Sequence, residues 1–429
     1  MAEAGTADEG RPPGTAEIAN AAIALRAALA KPLPAERVAS ALSEACRAIG
    51  WGAAGREARS AIADHRGWSE PVLQFSLQAL CRPFVVGEDL RKFARGLQPR
   101  SAVIGFVMPG NIPGGGLHEL IATLLAGRAA LVKTSSREMV FFRSFARLLA
   151  AISPDLAARL AVFTWGREAA SLTSAMQAAC DFFVVFGDDE TIMQPLLKGA
   201  SHGSDPGTDN KFAGFGARVS GIVLTAGSIN GGRSEKILRA IALDIIAFEQ
   251  RGCLSPHHVF IGGPEQIAAE FAAALARCLE VFTAGPPPPP ARLALEDAAA
   301  IRSVRERARW RAIGGQAVRL WEGPLPGWSV IYDRDADFTP SPGFRTVFVS
   351  PFGEAANLER RLAPVAGGVE AIAFKAEPTV DANEYVATLR RVIEEAGATY
   401  ICEPGQMQSP PVDWPHGGGA FLHSLIGAR

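Results

Sequence analysis

The sequence lacks an excess of one charge and any long apolar run. Lysine and arginine number 43 against 44 acidic residues, for a formal net charge of -1. A chain with almost no net charge has no strong electrostatic field and is not expected to bind nucleic acid or an acidic membrane surface, so a small-molecule partner is favoured. No stretch reaches the roughly 18 uncharged apolar residues of a membrane-spanning helix. Residues 1–15 have neither a basic segment nor an apolar core, and we expect a disordered start without a targeting signal.

Closely spaced cysteines are also missing. The six cysteines form neither a C-x-x-C pair nor a compact disulfide pattern; they are Cys46, Cys81, Cys180, Cys253, Cys278 and Cys402. This distribution is typical of reduced thiols and predicts a cytoplasmic protein. Cys402, His416 and His423 do not have the compact ligand spacing of a zinc site, so no metal is predicted.

The 429 residues exceed the usual size of one domain and can form two cores. Apolar residues recur at three- and four-residue steps from about 16 to 66, which predicts a helical N-terminal layer. From Ser101 onward, short β-branched runs alternate with amphipathic stretches, as in βα units on a parallel sheet. The predicted strands are 102–108, 129–133, 161–164, 181–186 and 219–224, and the predicted helices are 117–125, 137–151, 167–179, 190–198 and 234–248.

A second alternating block predicts strands at 258–261, 329–332 and 346–349 and a helix over 264–278. The proline run 286–290 is interpreted as an extended surface connection. The predicted fold class is α/β, with a Rossmann-like doubly wound domain and a second α/β domain. Its divisions are a disordered start over 1–15, the helical layer and doubly wound domain over 16–250, the second domain over 251–375, and a C-terminal segment over 376–429 that returns to the first domain.

One cysteine has the surroundings of a nucleophile. Cys253 follows a helix-like stretch, comes directly after Gly252 and precedes the turn pair Ser255-Pro256. Such a position has the backbone freedom and the access that a nucleophilic thiol needs. A nucleophilic Cys253 would form a covalent thioester.

A candidate oxyanion donor follows the first predicted strand, which ends in Met108-Pro109-Gly110-Asn111. The Asn111 amide would lie at the carboxyl end of the sheet, where ligands bind in open α/β sheets. An amide at that place can donate a hydrogen bond to an oxyanion. Alternatively, Asn111 caps a helix that starts near Pro113.

The next predicted strand ends in Lys133-Thr134-Ser135-Ser136. A cation and hydroxyl groups that converge at a strand end suit the ribose and phosphate of a nucleotide. Alternatively, Ser135 or Ser136 caps the helix that follows.

The order of these segments, with Phe186-Gly187 after a further strand and the cysteine last, resembles the aldehyde dehydrogenase superfamily. The segment Phe248-Glu249-Gln250 followed by Cys253-Leu254-Ser255-Pro256 is most similar to its LuxC-type acyl-CoA reductase branch. The resemblance is good over 101–256 and loose elsewhere. It implies an aldehyde-dehydrogenase-like fold, dimers or tetramers, and two groups of site residues: catalytic Cys253 and Asn111, and cofactor-binding Met108, Pro109, Lys133, Ser135, Ser136 and Gly187.

Three departures from the superfamily refine this expectation. Hydrolytic members use a glutamate to activate the deacylating water, but the corresponding stretch 214–220 has no carboxylate. Ser136 replaces the ribose-binding glutamate, which favours NADPH over NADH, with Lys133 or Arg137 as partner of the 2′-phosphate. Asp188-Asp189 stands after Gly187, where a small hydroxyl residue is expected, and acidic side chains oppose a nearby pyrophosphate.

The remaining candidates are weaker. His257 and His258 are neighbours on a predicted strand and point to opposite faces, so at most one faces a site. His118 and His202 match no motif. Glu249 is a candidate acid or base, or a helix-end carboxylate held by Arg251 or Arg218.

The predicted activity is the NADPH-dependent reduction of a fatty acyl thioester, carried by CoA or acyl-carrier protein, to the aldehyde. The reaction would pass through an acyl-enzyme on Cys253. Two alternatives stay open. One is a hydrolytic aldehyde dehydrogenase with Glu249 as the activating carboxylate, and the other is a redox-free acyl-binding or acyl-transfer protein, suggested by Asp188-Asp189.

Overall fold

The computed structural model describes residues 12–98, 100–187, 212–229, 233–284, 293–377, 383–419 and 421–422. Its helices are α1 (Thr15–Leu29), α2 (Ala35–Gly50), α3 (Arg56–Arg66), α4 (Glu70–Val85), α5 (Gly87–Gly96), α6 (Leu117–Leu125), α7 (Val140–Ile152), α8 (Pro154–Ala157), α9 (Ala170–Ala179), α10 (Arg233–Ile246), α11 (Glu265–Ala284), α12 (Leu295–Ile313), α13 (Ala355–Leu362) and α14 (Asn383–Glu395). Its strands are β1 (Val103–Val107), β2 (Ala129–Thr134), β3 (Leu160–Thr164), β4 (Phe182–Phe186), β5 (Phe212–Phe215), β6 (Val219–Thr225), β7 (Pro256–Gly262), β8 (Val318–Glu322), β9 (Ser329–Asp333), β10 (Thr346–Pro351), β11 (Val369–Lys375) and β12 (Tyr400–Cys402).

The described residues divide into two compact units. The first contains the chain up to Arg66, Leu80–Ala217, and the chain from Pro411 onward; the second contains Gly67–Ala79 and Arg218–Pro410. The α/β prediction is confirmed, because each unit is built on a parallel or largely parallel sheet.

The first unit has a five-stranded parallel sheet in the order β3-β2-β1-β4-β5. This is the doubly wound order. The chain adds β2 and β3 on one side of β1 and then β4 and β5 on the other, and this reversal of strand order leaves a crevice at the carboxyl ends of β1 and β4. β2 is buried along its whole length, as expected for a strand covered on both faces. The predicted N-terminal helices are present: Ile18, Ala22 and Leu25 are the buried positions of α1.

The second unit has a seven-stranded sheet in the order β12-β11-β6-β7-β10-β9-β8. The strands are parallel except for β8, which pairs antiparallel with β9 at one edge. Apolar residues of β6, β7 and β11 pack with α13 and α14 to form its core. The predicted strands near 258–261, 329–332 and 346–349 correspond to β7, β9 and β10.

The division of the chain differs from the expected one. From the sequence, 218–250 and 376–429 are expected in the doubly wound domain, whereas Arg218–Pro410 lies in the second unit and the chain returns to the first from Pro411 onward. The reason is the pairing of β6, which bonds to β7 and β11 rather than to a strand of the first sheet. Hydrogen-bond partners distant in sequence are not encoded in the local pattern that identifies a strand.

Several predicted features lie outside the described residues: the helix 190–198, Asp188-Asp189, His202, His423 and the proline run 286–290. Within the described part of the chain, none of the helices has both the length and the apolar character needed to cross a bilayer.

Candidate active site

The loop after β1 lies at the switch point of the first sheet. The Met108 backbone N–H donates to the carbonyl of Lys133 at 2.9 Å, which continues the pairing of β1 with β2 beyond the strand. Asn111 is exposed in this loop. The helix that follows begins at Leu117, and its N-cap is Gly116 with φ 86° and no side-chain cap. The capping interpretation of Asn111 is therefore wrong, because the helix starts well beyond it.

The loops after β1 and β2 are in direct contact. A Cβ on Gly110 would lie 2.7 Å from Ser135 Oγ and 2.9 Å from Ser135 Cβ, so only glycine fits there. At the end of α3, Arg66 donates to the carbonyls of Gly110 and Arg137, each at 2.9 Å. Its neighbour His65 places Nε2 at 3.1 Å from the Ser136 carbonyl. The helical N-terminal layer thus holds both loops in one arrangement.

Lys133 is the one charged side chain of β2, and it is only 9% exposed. Its ammonium group has no hydrogen-bond partner among the described residues. Burial lowers the pKa of Lys133, Arg167 lowers it further, and Glu168 opposes both effects. Burial of a cation is costly unless an anion compensates it, so this position suits an anionic ligand.

The other predicted cofactor residues lie at the same carboxyl edge. Ser135 Oγ accepts from the Arg137 backbone N–H at 3.2 Å, and Ser136 is exposed. Neither serine caps the next helix, which begins at Val140 with Met139 as N-cap. Gly187 directly follows β4, and its N–H donates to the carbonyl of Phe215 at 3.2 Å. The predicted cofactor-binding residues therefore share one edge of the first sheet.

Cys253 lies in the second unit, in the loop between a short 3₁₀ turn (Ala247–Gln250) and β7. The cysteine is half-buried, and its carbonyl accepts a hydrogen bond from Ser220 Oγ at 2.6 Å. Ser220 also accepts the Ala371 backbone N–H at 3.0 Å, which ties the loop to β6 and β11. The Ser255 N–H closes a tight turn on the Gly252 carbonyl at 3.0 Å.

The turn before Cys253 has an unusual backbone. Phe248, Glu249 and Gln250 have φ of 50°, 51° and 60°, in the left-handed region that favours glycine. Each such residue costs about 1–3 kcal/mol and persists only where its surroundings enforce it. Strain of this kind clusters at functional sites, so the strained turn that precedes Cys253 marks this part of the chain as a candidate site.

Glu249 has a structural partner that neither sequence-based alternative named. Arg345 donates to both of its carboxylate oxygens, each at 2.8 Å, and both side chains are almost fully buried. Burial raises the pKa of Glu249, and Arg345 opposes that rise. Of the two expected partners, Arg218 pairs with Glu370. Arg251 lies over the ring of Phe344, and its charge also lowers the pKa of Glu249. A carboxylate engaged in this way is poorly suited to activate water.

The two histidines of β7 are held by hydrogen bonds. The Ser341 N–H donates to His257 Nδ1 at 3.0 Å, and burial lowers the pKa of His257 to about 4. His258 Nε2 lies 2.9 Å from Ser350 Oγ, and burial lowers the pKa of His258 well below its usual value. Both rings are therefore neutral at pH 7, and their contacts support structural roles.

His118 and His416 belong to an aromatic cluster of the first unit. His118 packs edge-on against Phe84 and Trp414. His416 Nδ1 lies 2.6 Å from Glu119 Oε1, and although burial opposes ionisation, His416 lowers the pKa of that carboxyl group. The pair fastens the C-terminal segment to the start of α6.

Sequence reasoning missed the residues that hold the loops: Arg66, Ser220, Gln250 and Arg345. Each donates a hydrogen bond to a backbone carbonyl or a side chain more than thirty residues away in the sequence, so no local motif contains the pair. Only Gln250 had a signal, because it belongs to the segment that carried the family resemblance.

Comparisons with known proteins agree with this architecture. The model of the family described as acyl-CoA reductase (LuxC) matches residues 90–428. No curated protein matches the chain.

Solved structures share the fold at low identity. An NAD-dependent benzaldehyde dehydrogenase from Corynebacterium glutamicum is 13% identical, with 96% of this chain and 89% of that chain covered and a TM-score of 0.65. HpcC from Thermus thermophilus is 13% identical, with 92% and 79% covered and a TM-score of 0.67. A variant of proline utilization A from Bradyrhizobium japonicum is 15% identical with a TM-score of 0.69, and the match covers 97% of this chain but only 45% of that protein.

These likenesses confirm the aldehyde-dehydrogenase-like fold. The family model covers most of the sequence, including both loops at the sheet edge and the cysteine loop. The chain is therefore an enzyme and belongs to the acyl-CoA reductase (LuxC) family.

Proposed function

We propose that this enzyme reduces a fatty acyl thioester, carried by CoA or acyl-carrier protein, to the aldehyde with NADPH through an acyl-enzyme on Cys253. The observation that carries the proposal is the buried ion pair of Glu249, which is the acidic residue nearest to Cys253 in sequence. Arg345 engages both of its oxygens. The stretch 214–220, where hydrolytic relatives carry their glutamate, has no acid. A thioester on Cys253 would then receive no water-activating base from Glu249 or from 214–220 and would persist until it is reduced.

In the proposed mechanism, the Cys253 thiolate attacks the thioester carbonyl, and the tetrahedral intermediate expels the carrier thiolate, which takes up a proton. The Asn111 amide donates to the oxyanion in this step and again when the acyl-enzyme is reduced. NADPH, when bound, supplies the hydride to the acyl carbon. Collapse of the second intermediate breaks the bond to sulfur, releases the aldehyde and restores the thiolate.

The residues at the edge of the first sheet fit a phosphorylated nucleotide. Lys133 is largely buried at this edge, and burial and Arg167 both disfavour its charge in the absence of an anion. Ser136 leaves the ribose position without the carboxylate that would repel a 2′-phosphate, and Arg137 is exposed nearby. These features support NADPH over NADH, with Met108, Pro109, Ser135 and Gly187 as further contacts of the cofactor.

The alternatives are less well supported. A hydrolytic dehydrogenase needs a mobile carboxylate, whereas Glu249 is locked in a buried ion pair. The acyl-transfer alternative depends on Asp188-Asp189, which lie outside the described residues.

One experiment separates the three functions. The protein is incubated with a long-chain acyl-CoA, or the same chain on acyl-carrier protein, and with NADPH or NADH, while nicotinamide absorbance is followed and aldehyde is trapped. The proposal expects one aldehyde per NADPH consumed. In a parallel incubation with the free aldehyde and NAD⁺ or NADP⁺, oxidation to the acid without thioester reduction in the first assay would establish the hydrolytic enzyme. Acylation without nicotinamide turnover would establish the transfer protein.

Replacement of Gly110 by alanine is expected to raise the KM for NADPH several-fold. The added Cβ would meet Ser135 below 3.0 Å, so the loops after β1 and β2 must separate. Overpacking of this kind typically costs about 1–3 kcal/mol. Steady-state kinetics at saturating acyl-CoA measure the effect. Gly96→Ala is a matched control, because a Cβ at Gly96 meets nothing within 4 Å; equal KM values for the two variants would refute the prediction.

A further inference from the structure

The loop that carries Cys253 is closed at its base by a single side chain. Gln250 Nε2 donates to the carbonyl of Pro256 at 2.6 Å and to the carbonyl of Thr346 at 2.8 Å. Gln250 directly precedes the loop 251–255, and Pro256 directly follows it. One carboxamide therefore joins the two ends of the loop and ties both to β10.

The backbone that presents this carboxamide is strained, and a second strained turn supports it. Phe344 and Arg345 also have positive φ, at 50° and 59°. The Phe344 N–H donates to the Glu249 carbonyl at 2.8 Å, and the Arg345 side chain holds the Glu249 carboxylate. The two left-handed turns thus hold each other, and the turn that precedes β10 supports the conformation of Glu249 and, with it, of Gln250.

Burial of the Gln250 carboxamide is energetically unfavourable at its oxygen atom. The side chain is 1% exposed, and its Oε1 has no hydrogen-bond partner among the described residues, whereas both protons of Nε2 have acceptors. A buried acceptor without a partner is unfavourable, and such groups call for a functional explanation. The two hydrogen bonds that Nε2 donates, to the carbonyls of Pro256 and Thr346, offset the unfavourable burial of Oε1.

We infer that Gln250 is a positioning residue for Cys253. Its carboxamide fixes the two ends of loop 251–255, while Ser220 fixes the carbonyl of Cys253 in the middle, so that the thiol is held in one orientation for attack. Gln250 acts through the loop and does not touch the substrate. The inference rests on the proposed role of Cys253 as the nucleophile.

The test is Gln250→Met, which keeps the length of the side chain and removes both donors. The rate of Cys253 acylation by long-chain acyl-CoA, followed by rapid quench and intact mass, is expected to fall roughly 10- to 100-fold, because misplacement of a reacting group is costly. The KM for NADPH should change less than twofold. Hydrogen exchange of the amides within 251–255 should accelerate at least tenfold.

The matched control is Ser350→Ala, which also removes two buried hydrogen bonds, to His258 and to the Asp333 carbonyl, farther along β10 from Thr346. We expect a similar fall in Tm with unchanged acylation and exchange in 251–255. Acylation at the wild-type rate in Gln250→Met, or losses in both variants that follow Tm, would overturn the inference. Should the wild-type protein not be acylated at Cys253, the proposed function fails, while the exchange measurement still decides whether Gln250 holds the loop.

Discussion

Replacement of Cys253 by serine is expected to lower aldehyde formation by about four orders of magnitude or more, as loss of a nucleophile does in other covalent enzymes. A serine hydroxyl needs a base to become a nucleophile. The acid nearest in sequence, Glu249, is engaged by Arg345, and the nearby His257 and His258 hold structural hydrogen bonds. The variant should therefore keep its fold and lose the chemistry.

Labelled acyl-CoA measures this prediction directly. Wild-type protein should retain one acyl group per chain in the absence of NADPH, and Cys253→Ser should retain none. Cys278→Ser is the control, because this partly buried thiol lies on α11, and burial raises its pKa. Full reductase activity in Cys253→Ser would contradict the cysteine mechanism.

Replacement of Asn111 by alanine is expected to lower turnover on the order of a hundredfold or more, because a single oxyanion donor contributes about 3 kcal/mol in the transition state. The structure sharpens this expectation. Since Gly116 occupies the N-cap of α6, loss of the Asn111 side chain removes no helix cap. The fall in rate should far exceed what any accompanying change in Tm can explain.

Asn111 is proposed to stabilise the oxyanion both when Cys253 is acylated and when the acyl-enzyme is reduced. Single-turnover reduction of the acyl-enzyme measures its contribution to the second step alone. Asn111→Asp keeps the shape of the side chain but replaces the N–H donor with a charge that repels an oxyanion, so it should be at least as slow as Asn111→Ala. A large fall in Tm with normal turnover would show a structural residue instead.

The strands of the first sheet illustrate what local pattern can predict. The four segments that form β1 to β4 are apolar, short and bounded by turn residues, and the pattern places each to within one or two residues. It misses β5, because Phe212–Phe215 is short, contains glycine and lacks a distinct period. It identifies β6 as a strand but assigns it to the wrong sheet, since its partners are distant in sequence.

The candidate site divides in the same way. Cys253, Asn111 and Lys133 stand in short motifs at strand ends, and their chemistry is visible in the residues themselves. The ion pair of Glu249 with Arg345 joins positions almost a hundred residues apart, and only the fold brings them together. That contact makes Glu249, a candidate base in the sequence, one half of a buried pair with Arg345.

By itself, the sequence determined the fold class and the family and named the candidate reactive groups, because strand periodicity, turn residues and motif order are local properties of the chain. The tertiary structure alone decided which sheet β6 joins, that Asn111 caps no helix, and that the loop of Cys253 is held by Ser220 and Gln250. Those outcomes depend on hydrogen bonds and ion pairs between residues far apart in sequence, which form only when burial makes an unpaired polar group costly.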